Sequence, residues 1–327
     1  MSSWMIREIR EEPSIVRRIF GNELENLDLA VEKIRRSSFV ITSGSGTSYN
    51  AALYLHLLLL KLGIPSTCVP ASEVPAALPG FPQTVSPLLI AFSQSGGSID
   101  ALNAASAARE RGIPVLSVTN GRNSKLAGNS DASVTALSGE ERSIPATKSH
   151  MAQLSVIASI YFALKKEEVS AYAETLASAI ESALTLDDSI NEIASASYGR
   201  IVLLGTGLLY VTALEGGLKI RETASVSAEA FHEREYLHGP MQILNSDTLM
   251  ISLSENDSYL RNRFQPHCGR FLAVSHGQGS EINVNHVDDV LNPMVHLIPL
   301  QLFSFYKAVH LGIDPDKPSK LRKVVEE

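Results

Sequence analysis

The chain has 327 residues, of which 44% are hydrophobic and 19% charged, and its formal net charge is −7. This length suggests two domains of roughly 150 residues each, and the composition is that of an ordinary soluble globular protein. The negative charge and the lack of a block rich in lysine and arginine argue against nucleic-acid binding. An anionic ligand therefore needs a local positive site.

The cysteines and the apolar segments indicate a cytoplasmic protein. Cys68 and Cys268 are far apart in sequence and form no Cys-x-x-Cys motif, so neither a disulfide framework nor a zinc site is expected. The N-terminus lacks the apolar core of a signal peptide. The longest apolar run, residues 51–60, is interrupted by His56 and is too short to span a bilayer. No membrane partner is expected.

The first part of the chain alternates between predicted strands and helices. The predicted elements are a helical segment at 5–18 with Pro13 near a helix start, a strand at 39–42, a small-residue loop at 43–48, a helix at 49–62, a strand beginning at 88, a helix at 99–111 and a strand at 115–118. The order β-α-β-α predicts an α/β fold with a doubly wound parallel sheet.

The most informative loop follows the strand that begins at residue 88. Residues 88–98 read LLIAFSQSGGS. In an open parallel sheet, ligands lie at the carboxyl ends of strands, and the next helix offers free N–H groups to an anion. The hydroxyls of Ser93, Ser95 and Ser98 and the Gln94 amide suit a phosphate without a metal or a lysine. Serine- and glycine-rich turns are common, so an ordinary turn is the alternative.

An internal repeat follows a long predicted helical region at 148–197. Gly205 and Gly207 lie 161 residues after Gly44 and Gly46. The pairs at this same offset are Tyr49 and Tyr210, Ala52 and Ala213, Leu53 and Leu214, and Ser93 and Ser254. Several matches at one offset predict two copies of one domain. The second copy has an acidic loop at 254–257 instead of the serine-rich loop, so phosphate capture is assigned to the first copy and chemistry to the second.

Neither a nicotinamide cofactor nor a metal is expected. A third glycine at the dinucleotide-binding spacing would fall at Tyr49 or Tyr210, and neither is glycine. His232 and Glu233 begin like a zinc-protease helix, but Tyr236 stands where the second histidine belongs.

Three residues of the second copy are candidates for chemistry. Lys219 and Glu222 lie three apart on one predicted helix face. A surface ion pair is the alternative, but the preceding segment, residues 213–218, is largely small and apolar, as in a closely packed helix. His238 precedes Gly-Pro on a predicted turn, where the histidine is either solvated or directed at a ligand.

Four motifs together resemble the sugar-isomerase (SIS) domain family. They are residues 45–49 (SGTSY), 93–96 (SQSG), 218–222 (LKIRE) and 235–240 (EYLHGP). Within that family they are most similar to the isomerase half of glucosamine-6-phosphate synthases. The segments at 8–13 and 316–323 agree with this resemblance, which covers the whole chain.

The resemblance implies two tandem SIS domains, each a doubly wound parallel sheet flanked by helices in a flavodoxin-like or Rossmann-like three-layer sandwich. The expected divisions are a helical lead-in at 1–36, the phosphosugar-binding domain at 37–170, the domain with the catalytic helix and histidine loop at 171–312, and a closing tail at 313–327.

The resemblance also implies roles for individual residues. The sugar phosphate is held by Thr47, Ser48, Ser93, Gln94, Ser95 and Ser98. Glu222 moves protons, His238 opens the sugar ring, and Lys219 and Lys323 line the site. In the family the histidine enters from the neighbouring subunit, so a homodimer is implied.

Three departures from the family pattern shape the expected activity. Gly97-Ser98 replaces Glu-Thr, Arg322 replaces a small residue before the tail lysine, and the roughly 35 residues before the first copy contain no cysteine for a glutaminase. Without glutamine hydrolysis, deamination of glucosamine 6-phosphate to fructose 6-phosphate is expected. The alternatives are an ammonia-dependent or partner-fed synthase, a deglycase or isomerase for another aminated sugar phosphate, and a non-catalytic sugar-phosphate sensor.

Overall fold

The structure is a computed structural model that describes residues 3–21, 24–81, 84–254, 257–277 and 279–323. The chain forms two compact units. The first unit comprises Ser14–Glu141, Lys148–Glu174 and the tail from Arg322, and the second comprises the chain up to Pro13, Arg142–Thr147 and Thr175–Leu321. The domain divisions expected from the sequence stay a prediction.

The first unit contains a five-stranded parallel sheet. Its strands are β1 (Phe39–Gly44), β2 (Ser66–Pro70), β3 (Pro87–Ser93), β4 (Val115–Thr119) and β5 (Ala132–Thr135), in the order β2-β1-β3-β4-β5. β1, β3 and β4 are buried along almost their whole length. Continuous burial is typical of parallel strands whose two faces are both covered.

The helices in the first part of the chain include the predicted ones. They are α1 (Trp4–Arg10), α2 (Glu12–Gly21), α3 (Leu27–Arg36), α4 (Thr47–Lys61), α5 (Val74–Ala77), α6 (Ile99–Glu110), α7 (Lys125–Gly128), α8 (Lys148–Lys165) and α9 (Ala173–Leu184). The segment predicted to be helical at 5–18 forms α1 and the beginning of α2, and Pro13 lies in the first turn of α2, near a helix start as expected, where its missing N–H is not needed. The helical region predicted at 148–197 forms several helices, the first of which, α8, ends just before Lys166, which adopts φ 63°.

The second unit contains a sheet with the same strand order. Its strands are β6 (Arg200–Gly205), β7 (Ala228–His232), β8 (Thr248–Ser252), β9 (Arg270–Ser275) and β10 (Ile282–Asn283), and they follow the order β10-β9-β8-β6-β7 with parallel pairing. Its helices include α10 (Asp187–Ser195), α11 (Leu208–Ala224), α12 (Asp257–Phe264) and α13 (Asn292–His310). The predicted α/β class with parallel sheets and flanking helices is confirmed.

The first strand-to-helix turns of the two sheets have the same geometry. Gly46 and Gly207 precede α4 and α11 with φ of 56° and 54°, which glycine adopts readily. A Cβ on Gly44 or Gly205 would lie 2.4 Å from the backbone oxygen of the residue four positions later. Both turns therefore require glycine at both positions.

Some sequence predictions lie outside the described residues. These are Glu255 and Asn256 of the acidic loop and residues 324–327 of the tail. Within the described ranges, no helix has the length and apolar character needed to cross a membrane.

Candidate active site

In the first unit, the two predicted binding loops lie at one edge of the sheet. β1 and β3 pair in parallel with Ser43 opposite Ala91, so both strands end at the same edge. The loop after β1 leads into α4 at Thr47, and the loop after β3 leads into α6 at Ile99. The sheet thereby brings together all six residues predicted to bind the sugar phosphate.

The loop after β3 is held in shape by its own hydroxyls. Ser93 Oγ accepts a hydrogen bond from the Gly96 N–H and Ser95 Oγ accepts one from the Gly97 N–H, both at 3.1 Å. Gly96 has φ 60°, and a Cβ there would lie 2.3 Å from Ser124 Oγ. Each serine hydroxyl keeps its proton for donation to a ligand.

The helices that follow these loops are suited to an anion. The residues before the first turns of α4 and α6, Gly46 and Ser98, provide no side-chain cap. The N–H groups of a helix's first turn have no partner within the helix, and the helix dipole places positive partial charge there. Two such helix N-termini at one sheet edge favour binding of a phosphate.

Ser48 is fixed by a contact that the sequence analysis missed. It is buried, and its Oγ accepts a hydrogen bond of 3.1 Å from Gln153 Nε2 on α8. Gln153 is 2% exposed in a mostly apolar helix. A buried amide needs a partner, so a glutamine within an apolar helix was a usable signal, although the sequence did not identify its partner.

In the second unit, α11 presents a buried cation between two carboxylates. Lys219 Nζ donates to Glu222 Oε2 and lies 3.4 Å from Glu215 Oε1. The side chains of Lys219 and Glu215 are each 1% exposed, whereas that of Glu222 is 23% exposed. The sequence predicted the Lys219–Glu222 pair and missed Glu215, although its spacing of four residues from Lys219 is another signal of a shared helix face.

The exposure of Glu222 fits a group that exchanges protons. Its carboxylate is the accessible end of the three-residue cluster, while Lys219 is buried behind it. On the same helix, the Thr223 hydroxyl lies 2.8 Å from the backbone oxygen of Lys219 and 3.1 Å from that of Ser304 on α13, and so links α11 to α13. The position of Glu222 is therefore set by a packed helix pair.

His238 lies on an exposed loop after β7. Its backbone N–H donates to Glu235 O, and its side chain makes no hydrogen bond, ion pair or ring contact with another described residue. The neighbouring Tyr236 is fully buried and packs against Phe231 and Phe264. The loop is thus anchored by the tyrosine and leaves the histidine on the surface.

The tail residue Lys323 belongs to the first unit. Its Nζ donates to Glu141 Oε2 at 2.6 Å, and Glu141 also accepts hydrogen bonds from the backbone N–H and the hydroxyl of Ser149. The adjacent Arg322 is exposed. Glu141 was not predicted, since a glutamate in an irregular segment carries no sequence signal for a partner 182 residues away.

The described residues contain no group of three histidine, cysteine, aspartate or glutamate side chains arranged to hold a metal. Cys68 and Cys268 are both free thiols. Burial raises the pKa of Cys68 to about 11, so its thiol stays protonated at neutral pH. The thiol of Cys68 is therefore unsuited to act as a nucleophile.

A cavity of about 740 Å³ lies at the opposite edge of the first sheet, where β1, β3 and β4 begin. Its lining includes Lys33, Arg36, Leu88 and Arg111. None of the residues predicted to bind the substrate lines this cavity. The candidate site therefore consists of the loops at the carboxyl edge rather than of this cavity.

Comparison with known proteins gives a family match and full-length structural similarity. A family model described as the SIS domain matches residues 33–163 and 192–261, more than half of the chain. Glutamine–fructose-6-phosphate aminotransferases (isomerizing) from Methanothermobacter thermautotrophicus and Sulfurisphaera tokodaii are 31% and 32% identical to it, over 98% of the chain. The chain spans only 57% and 56% of the length of these relatives.

Two solved structures resemble the chain along nearly all of their length. The C-terminal domain of glucosamine-fructose-6-phosphate aminotransferase from Francisella tularensis has a TM-score of 0.85 and 25% identity, covering 97% of this chain and 99% of that one. Glucosamine-6-phosphate deaminase from Thermotoga maritima has a TM-score of 0.82 and 26% identity, covering 99% of each chain.

Proposed function

Because the chain belongs to the SIS domain family, we propose that it is an aminosugar-phosphate isomerase and deaminase. It converts glucosamine 6-phosphate and water to fructose 6-phosphate and ammonia. The observation that carries the proposal is the carboxylate of Glu222, partly exposed and hydrogen-bonded to the buried ammonium of Lys219. A surface ion pair lacks such a buried cation.

The first unit binds the phosphate of the substrate in this proposal. The ligands are the side chains and helix N-termini of the loops after β1 and β3: Thr47, Ser48, Ser93, Gln94, Ser95 and Ser98. Support comes from the shared sheet edge and from the two helix N-termini without side-chain caps. We assign one SIS copy to each sheet, since both have the same strand order and the same glycine turn.

The reaction begins with ring opening. The imidazole of His238 takes the proton of the hydroxyl on carbon 1 and returns a proton to the ring oxygen, which gives the open-chain aldehyde. The exposed ring of His238, which has no bonded partner among the described residues, is available for this task. We assign the histidine to the neighbouring subunit of a homodimer.

Glu222 then carries a proton between two carbons. It removes the proton from carbon 2 while the carbonyl oxygen on carbon 1 gains one, which gives an enolamine, and it returns a proton to carbon 1. The product is an imine at carbon 2, which adds water and loses ammonia to leave the ketone of fructose 6-phosphate. These steps transfer protons and add water, so they need no redox cofactor.

Lys219 and Lys323 supply positive charge in this scheme. The Lys219 ammonium, which lies against the Glu222 carboxylate, stabilises negative charge that develops on the oxygen at carbon 1. Lys323 is assigned to the substrate site on the first unit, where Glu141 holds it. In this proposal both residues stabilise charge that develops only during the reaction.

A second candidate is the reverse reaction, which forms glucosamine 6-phosphate from fructose 6-phosphate and ammonia. The similarity to aminotransferases favours it. The match along 99% of a glucosamine-6-phosphate deaminase favours ammonia release. Both directions use the same proton transfer at Glu222.

The test is a substrate panel with the purified protein. Ammonia and fructose 6-phosphate are measured after incubation with glucosamine, galactosamine and mannosamine 6-phosphates, with unphosphorylated glucosamine as the control. We expect equal amounts of ammonia and fructose 6-phosphate from glucosamine 6-phosphate, little turnover of glucosamine, and no loss of activity in EDTA. Tight binding without turnover of any substrate in either direction would overturn the proposal and favour a sensor.

A further inference from the structure

The C-terminal tail of the first unit is held by an ion pair with a buried carboxylate. Lys323 Nζ lies 2.6 Å from Glu141 Oε2, and the side chain of Glu141 is fully buried while that of Lys323 is 27% exposed. A carboxylate removed from water is costly to leave unpaired. Docking of the tail lysine therefore supplies a cation to the buried Glu141 carboxylate.

Glu141 is itself held in a fixed orientation. Besides Lys323, it accepts a hydrogen bond of 3.0 Å from the Ser149 N–H and one of 2.6 Å from the Ser149 hydroxyl. Ser149 lies in the first turn of α8, where free N–H groups and the helix dipole favour negative charge. Donors on both oxygens leave the carboxylate little freedom to rotate.

The same face of α8 supports the predicted phosphate-binding loop. Gln153 lies four residues after Ser149, so the two side chains project from one face of the helix, about 6 Å apart along its axis. Gln153 donates to Ser48 Oγ. One helix face thus contacts Ser48 through Gln153 and orients Glu141, the partner of Lys323, through Ser149.

We propose that Glu141 is a positioning residue that holds the ammonium of Lys323 at the substrate site. Glu141 acts through Lys323 and does not itself contact the substrate. The assignment of Lys323 to the substrate site rests on the proposed function, whereas the holding of the tail by Glu141 does not. The two claims therefore have separate tests.

The first test measures the tail without substrate. Amide hydrogen exchange is followed in the peptide that contains Lys323, in the wild type and in the Glu141→Gln and Lys323→Met variants. Glutamine keeps the size of the side chain but loses the charge, so exchange should become at least tenfold faster in both variants. Glu174→Gln, which removes an exposed ion pair with Arg17 in the same unit, should leave exchange in this peptide unchanged.

The second test measures turnover of the amino-sugar phosphate. Lys323→Met and Glu141→Gln should each lower kcat at least tenfold, with a smaller change in KM. The double variant should be no slower than Lys323→Met, because a residue that acts only through Lys323 has no further effect once the lysine is gone. If Glu141 has a purely structural role, the double variant should have a lower kcat than Lys323→Met.

The outcomes distinguish the two claims. Unchanged exchange in Lys323→Met, a variant at a partly exposed tail position, would overturn the holding of the tail even if Glu141→Gln does not fold. Faster exchange combined with additive losses of kcat would overturn the positioning role. A wild type without turnover on any substrate would overturn the proposed function, and the exchange result would still decide whether Glu141 holds the tail.

Discussion

Lys219 is a buried cation that pairs with two carboxylates of the same helix. It is buried between Glu215, which is equally buried, and the more exposed Glu222. Replacing it with methionine removes the cation that lies 3.4 Å from the buried Glu215 carboxylate. Removing one partner of a buried pair costs about 3–5 kcal/mol, so Lys219→Met should lower the free energy of unfolding by about that amount.

Urea denaturation checks this prediction. The double variant Lys219→Met, Glu215→Gln also removes the buried negative charge of Glu215 and should recover much of the lost stability. Lys317→Met, at an exposed lysine of the same unit, should have little effect. An equal decrease in the free energy of unfolding in the single and double variants would show that the loss of stability does not come from the pairing of Lys219 with Glu215.

Glu222 is the residue on which the proposed chemistry depends. Glu222→Gln keeps the shape of the side chain but cannot accept a proton at neutral pH. Turnover should fall by about 10²–10⁴-fold, the usual contribution of a general base, while binding of the sugar phosphate measured by calorimetry should change little. Glu229→Gln, at an exposed glutamate on β7, is the matched control and should keep full activity. Normal turnover in Glu222→Gln would contradict the mechanism.

At the scale of elements, the loop after β3 combines a structural and a binding role. Its two hydroxyls support the backbone of Gly96 and Gly97 and retain protons for a ligand. Replacing Ser93 and Ser95 with alanine removes two hydrogen bonds to a charged group, each worth about 1.5–3 kcal/mol. Affinity for the phosphorylated sugar should fall at least tenfold.

The control for the loop is Ser72→Ala, at an exposed position of the same unit. This variant should leave the dissociation constant for the phosphorylated sugar unchanged. If the double alanine variant binds as tightly as the wild type, the phosphate lies elsewhere, and the assignment of binding to the first unit fails.

Helix α13 carries a histidine that makes stability depend on pH. His296 is buried, its Nδ1 lies 2.9 Å from Asn292 O, and its Nε2 has no hydrogen-bond partner among the described residues. Burial, together with the nearby His276 and His286, lowers the pKa of His296 from 6.5 to about 4 in the folded protein. Between pH 6.5 and 4 the unfolded chain therefore binds more protons, so acidification favours unfolding.

Protonation of this one histidine should lower the free energy of unfolding by up to about 3 kcal/mol between pH 7 and pH 4. Unfolding in urea at a series of pH values measures it. His296→Gln should reduce the slope of stability against pH in this range, whereas His310→Gln, at an exposed histidine of the same helix, should preserve it. An unchanged slope in His296→Gln would show that other groups cause the dependence.

At the scale of the whole molecule, the proposed homodimer makes a specific prediction about mixed subunits. Glu222→Gln and His238→Asn homodimers should each be nearly inactive. If each site takes its histidine from the neighbouring subunit, a heterodimer of the two variants has one site with both native groups. After random reassociation of equal amounts, about a quarter of the wild-type activity should return.

The control is reassociation of each variant with itself, which should restore no activity. Reassociation must also be verified by the exchange of differently labelled subunits. No recovery in verified heterodimers would show that His238 and Glu222 act within one subunit.

Much of the fold and part of the candidate site could be predicted because they depend on local geometry. The alternation of strands and helices follows from apolar runs and glycine turns, and both turns at Gly44–Gly46 and Gly205–Gly207 form as expected. The Lys219–Glu222 pair follows from the spacing of three residues on a helix. The segment predicted to be helical at 5–18 is helical, with Pro13 near the start of its second helix, but the sequence did not show that the segment divides into two helices.

The sequence by itself determined which segments form βα units and which side chains have suitable chemistry. Only the tertiary structure decided which distant side chains meet, namely Gln153 with Ser48 and Lys323 with Glu141, which lie 105 and 182 residues apart. Spacing along a helix is fixed by backbone geometry, whereas contacts over such separations depend on how sheets and helices pack. A buried carboxylate such as Glu141 becomes recognisable only once that packing has removed it from water and supplied its cation.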